Sequence, residues 1–121
     1  MENREAEVLD RAVLMERVGG DLGLLQEIAG LFRQDCPRLL SEIRSAVIGA
    51  DAPALERAAH TLKGCVGNFA AEAAYQAALR LEKMGRAREL EGAATACETL
   101  EDEVARFEQA LDALACELAK P

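Results

Sequence analysis

The block Ala59-His60-Thr61-Leu62-Lys63-Gly64 holds the one histidine of the 121-residue chain, and its neighbours limit what that imidazole can do. Drawn as a helix at about 100° per residue, Leu55, Ala58, Ala59, Leu62 and Val66 fall on one apolar stripe. His60 points off that stripe. Gly64 lies one turn on, Lys63 on the adjoining flank and Gly67 two turns along. The pattern predicts an imidazole within reach of solvent or a partner, an ammonium nearby and two positions without side chains. Such a site suits a nucleophile that must accept a bulky, anionic group. The competing reading is a non-catalytic helical adaptor on whose surface His60 is incidental.

Glu82 is a second anomaly. It follows Tyr75, Ala78 and Leu79 at spacings of seven, four and three, which puts a carboxylate on or beside the apolar stripe of its own helix. Burying it unpaired would be costly. Either its head reaches solvent at the rim, or it accepts a hydrogen bond from one ring nitrogen of His60 on an antiparallel neighbouring helix. The second arrangement would fix the tautomer and leave Nε2 unprotonated and aimed outward. A separation of 22 residues covers the rest of one helix, a tight turn and the return path.

The elements that must position these groups are all helical. Every long segment carries the helical period and none the alternation of a strand. The periods predict helices over roughly 8–17, 21–48, 52–66, 70–84 and 87–119. Gly19-Gly20 ends the first, and Asp21 and Asp51 are good N-caps for the second and third. Pro37 predicts a kink or brief break near residues 35–37. Gly67-Asn68 predicts a turn, and Gly85 the end of the fourth helix. In the last helix Leu90, Cys97, Val104, Leu111 and Leu118 repeat every seven residues, with Ala93, Leu100, Phe107 and Leu114 filling the second seam position. That seam could zip to a second copy as a coiled coil. With three other amphipathic helices on the chain, one wall of an intramolecular bundle is the better fit. The expectation is one domain over 1–121, all-α, an up-and-down antiparallel four-helix bundle with a short extra N-terminal helix, and a monomer.

Composition narrows the function. Half the residues are apolar, yet there are three Phe, one Tyr and no Trp, so the core must be aliphatic and Ala-rich, which favours close-packed helices. A net charge of −8 argues against a phosphate-backbone binder, so no nucleic-acid partner is expected. No stretch approaches the roughly 18 apolar residues of a membrane span, and the start reads as no signal peptide. The expectation is a cytoplasmic protein without membrane contact. Cys36, Cys65, Cys97 and Cys116 show no metal-ligand spacing and read as small buried fillers kept reduced. The Glu-x-x-His pairs of carboxylate-bridged metal bundles are absent. Neither an acidic cluster suited to Mg²⁺ nor a glycine-rich phosphate loop is found, so no cofactor is expected.

The block around His60, followed by Gly67-Asn68-Phe69 and Leu81-Glu82, resembles the histidine phosphotransfer (HPt) domain of multistep two-component phosphorelays. The resemblance extends over nearly the whole chain: Arg17 to Asp21, Phe32 to Pro37 and Gly49 to Asp51 resemble the family's flanking elements. It implies a phosphocarrier, not an autonomous kinase. His60 would carry the phosphoryl group on Nε2, and Lys63 would offset its charge. Gly64 would open space for it and for the partner's loops, and Glu82 would hydrogen-bond Nδ1. Implied partners are response-regulator receiver domains and a hybrid sensor histidine kinase, with Mg²⁺ on the receiver. Two positions depart from the pattern: Cys65 where Ser is frequent, and Ala70 where many members have Gly. Met1 and the lack of linker composition lean towards a free-standing protein over the excised tail of a hybrid kinase.

Overall fold

Aspartates at three helix N-caps set where helices begin. Asp10, Asp21 and Asp51 each accept a hydrogen bond from the backbone N–H three residues on, at Val13, Leu24 and Ala54. Each satisfies a donor that the first helical turn leaves without a partner. The computed structural model describes residues 4–119, which form six helices and no strand. These are α1 (Arg4–Val8), α2 (Arg11–Arg17), α3 (Leu22–Ile48), α4 (Ala52–Gly67), α5 (Glu72–Ala87) and α6 (Ala93–Ala119). Helices α3 to α6 form the antiparallel bundle, each packed against two neighbours in the cyclic order α3, α4, α5, α6.

Five features differ from the sequence expectation, each for a local reason. The single N-terminal helix expected over 8–17 is two, because Leu9 is buried between them and Asp10 caps the second. No break occurs at Pro37, and α3 runs continuously through it. Pro37 lies on the exposed face, so the carbonyl that loses its donor can turn to water. Helix α5 begins at Glu72 instead of 70, because Ala70 adopts a left-handed backbone with φ 57°. It also continues past Gly85 to Ala87, with Arg88 in the left-handed C-cap conformation. Consequently α6 starts at Ala93 and not at 87, and Leu90 falls in the connecting turn.

Gly85 is a packing device, not a stop. A Cβ there would lie 2.7 Å from the Glu56 backbone nitrogen and 2.8 Å from the Ala52 carbonyl oxygen. With Ala74 and Ala78 also buried on α5, the glycine lets α5 approach α4 closely. That approach brings Glu82, one turn earlier, within reach of the His60 helix.

The stripe expected on α4 is wholly inside: Leu55, Ala58, Ala59, Leu62 and Val66 are buried. So are Cys97, Leu100, Val104, Phe107, Leu111 and Leu114 of the α6 seam, which the chain's own core therefore occupies. Phe32, Phe69 and Phe107 meet in an aromatic cluster with centroids 5.1 to 5.5 Å apart, joining α3, the α4–α5 turn and α6. The cysteines only partly follow expectation. All four are free, and Cys36 and Cys97 are buried, but Cys65 is half-buried and Cys116 is exposed. Burial, with Glu108 nearby, pushes the Cys36 thiol up to about 12.

Candidate functional site

His60 stands on the outer face of α4, with 66% of its side chain exposed. Its position follows from the buried stripe: once Ala59 and Leu62 face the core, residue 60 must face outward. Glu82 occupies the opposite environment, with 2% exposure on the α4-facing side of α5. The two meet across the helix pair, with Nδ1 of His60 2.8 Å from Oε2 of Glu82. A carboxylate on Nδ1 favours the tautomer with the proton there, which leaves the Nε2 lone pair free.

The charge that makes a buried Glu82 tolerable comes from three directions. Nζ of Lys63 lies 2.7 Å from Oε1, and a guanidinium nitrogen of Arg86 lies 3.0 Å from Oε2. Burial pushes the Glu82 carboxyl up, but hydrogen bonds and charge from Lys63 and His60 outweigh it, and the group sits below its ordinary value. It is an anion at neutral pH, bound by two cations and one imidazole. The Lys63 ammonium also lies 5.9 Å from the centre of the Tyr75 ring and is mostly shielded from water. Lys63 is therefore engaged by Glu82, not held free beside His60.

The two glycines differ. A Cβ at Gly64 would meet nothing within 4 Å, so the surface one turn beyond His60 is open. Gly67 is the last residue of α4, where its carbonyl accepts a hydrogen bond from Arg17 at 2.7 Å. A Cβ there would touch the Tyr75 ring at 3.4 Å. Gly67 thus lies two turns beyond His60 at the end of α4, packed against the same Tyr75 ring that Lys63 approaches. The structure brings His60, Lys63 and Glu82 into contact, with Gly64 one turn and Gly67 two turns along the same helix.

Sequence reasoning missed Arg86 and Glu56. Arg86 follows Glu82 at the helical ion-pair spacing of four, a legible signal. Its bond to Glu56 on α4, Nε to Oε2 at 3.0 Å, could come only from the helix pairing. Among the described residues no group of three or more His, Cys, Asp or Glu is placed to hold a metal ion. No helix among them is long and apolar enough to cross a membrane.

Known proteins bear on this site. The structure is similar to the crystal structure of histidine-containing phosphotransfer protein B (HptB) from Pseudomonas aeruginosa PAO1. The TM-score is 0.73 over 97% of this chain and 95% of that one, at 24% identity, which shows a shared fold. A comparison with curated proteins finds no match. The sequence model of the Hpt domain matches residues 27–110, a span that takes in α4, α5, the exposed histidine and the carboxylate behind it. With the greater part of its length matched, the chain belongs to the Hpt domain family of phosphorelay proteins.

Proposed function

We propose that the chain is a phosphocarrier in which His60 accepts a phosphoryl group from the phosphoaspartate of a receiver domain and passes it to another receiver aspartate. The observation that carries this reading is the pairing of an exposed imidazole with a buried carboxylate on Nδ1. In the step, the Nε2 lone pair forms the N–P bond as the P–O bond to the aspartate breaks, and that carboxylate leaves as an anion. The ring keeps its Nδ1 proton and becomes cationic, and the Glu82 anion stabilises that charge across 2.8 Å. Onward transfer reverses these changes with a second carboxylate as nucleophile. Such transfer depends mainly on in-line placement and charge neutralisation. The open surface at Gly64 is the approach for the partner's aspartate. Lys63 supplies a point charge for the phosphoryl oxygens.

On this reading the protein is a carrier without its own ATP or metal site, and Mg²⁺ belongs to the receiver domain. It acts as a cytoplasmic monomer between a hybrid sensor histidine kinase and a response regulator. Incubation with a phosphorylated receiver domain tests the carrier role. The expected product is a phosphoryl group on this chain that is labile in acid and stable in base. Absence of label with every receiver domain of the host would instead favour a non-catalytic adaptor.

A further inference from the structure

Two cations hold Glu82, and they are tethered differently. Lys63 reaches Oε1 at 2.7 Å, and its other neighbour is the Tyr75 ring, a weak attachment at 5.9 Å. Arg86 reaches Oε2 at 3.0 Å, the same oxygen that takes Nδ1 of His60. Its Nε is fixed in turn by Oε2 of Glu56 at 3.0 Å. The guanidinium is thus braced from both α4 and α5, whereas the ammonium is a point charge on a flexible four-carbon stem. Of the two, Lys63 has a single carboxylate partner and Arg86 has two.

A phosphoryl group on Nε2 would compete with Oε1 of Glu82 for that ammonium, because phosphate oxygens are strong acceptors for charged donors. Were Lys63 the sole cation, its departure would leave a buried carboxylate uncompensated. Such a carboxylate would be free to turn away from the ring or to take the Nδ1 proton. Either change would spoil the tautomer that transfer requires. The bond from Arg86 to the very oxygen that faces Nδ1 opposes both.

We propose that Arg86, braced by Glu56, is a positioning residue for phosphotransfer that holds Oε2 of Glu82 on Nδ1 of His60 and so frees Lys63 to serve the phosphoryl group. This inference rests on the acceptor role of His60 given above. It differs from a purely structural role because it separates two cations that contact one carboxylate. Of these two cations, only the loss of Arg86 should disturb the ring.

The test combines nitrogen-15 NMR of the imidazole in the unphosphorylated full chain with single-turnover transfer from a phosphorylated receiver domain. Arg86→Gln should lower the Nδ1–H tautomer population and slow transfer roughly tenfold, a loss typical of partners that orient a reacting group. Arg86→Lys should recover part of both losses, and Glu56→Gln should produce a smaller loss in the same direction. Lys63→Ala should slow transfer while leaving the tautomer population at its wild-type value. The Arg86 side chain is 61% exposed and Lys63 still compensates Glu82 in its absence, so its replacement should lower the melting temperature only modestly and leave the fold intact. The inference is overturned if either readout stays at the wild-type value in Arg86→Gln. It is equally overturned if Lys63→Ala shifts the tautomer as much as Arg86→Gln does. Because the tautomer is read without any phosphoryl group, failure of His60 as acceptor would show separately, as an unlabelled wild type.

Discussion

At Glu82, a carboxylate that is nearly inaccessible to water carries a proton affinity below the ordinary one. Burial alone would raise it, so the partners Lys63 and His60 outweigh the desolvation they are set against. This has a consequence for stability. With the folded value below the unfolded one, the unfolded chain takes up the proton first as pH falls. The stabilisation is complete above the ordinary carboxylate range and is lost as pH falls through the depressed folded value. Glu82→Gln should therefore destabilise the protein at neutral pH, with a deficit against wild type that shrinks as the pH falls through and below the ordinary carboxylate range. Urea melts of both proteins across that range check this. A deficit independent of pH would mean that the carboxylate's charge contributes nothing to the fold. The position of Glu82 beside an apolar stripe was legible in the sequence, and so was its possible reach to His60. The share that Lys63 takes in it was not, because helical spacing puts Lys63 beside His60 without showing which way its long stem turns.

Two glycines inside helices show how differently the same residue type acts at the scale of elements. At Gly85 the neighbouring backbone lies where a Cβ would be, 2.7 and 2.8 Å away, and backbone cannot move aside as a flexible side chain can. At Gly64 the space is empty. Gly85→Ala should cost about 1–3 kcal/mol through overpacking of α4 against α5. Gly64→Ala should gain roughly 0.5–1 kcal/mol through helix propensity alone. Thermal melts of the two variants should move in opposite directions from wild type; a shared direction would contradict the α4–α5 packing. The sequence marks both residues as glycines in helical surroundings and says nothing about how near the next helix comes, which is why Gly85 reads there as a terminus. The left-handed turns at Ala70 and Arg88 are hidden for a related reason. Neither residue type announces a positive φ, so the true starts of α5 and α6 were displaced. The caps at Asp21 and Asp51 were legible because their chemistry is local.

Across the whole molecule, the apolar stripes of α3 to α6 are spent on the chain's own core, and His60 is left on the outside between the open surface at Gly64 and the charged groups of α5. The fold class was readable because each stripe is long and periodic. The charge network behind His60 was only half readable, since Arg86 and Glu56 meet through tertiary pairing. If a receiver domain docks over Gly64, a long side chain there must obstruct it without harming the bundle. Gly64→Gln should keep or raise the melting temperature and strongly slow single-turnover transfer; unimpaired transfer would mean that the partner approaches from elsewhere. The central claim concerns the imidazole itself, and a His60→Gln chain tests it most directly. Its exposed position predicts a stability change of less than about 1 kcal/mol, the scale of one partly solvated hydrogen bond. Incubated beside wild type with the same phosphorylated receiver domain, His60→Gln should melt normally and take up no phosphoryl group. Phosphoryl incorporation that persists in His60→Gln at the wild-type level would contradict the account.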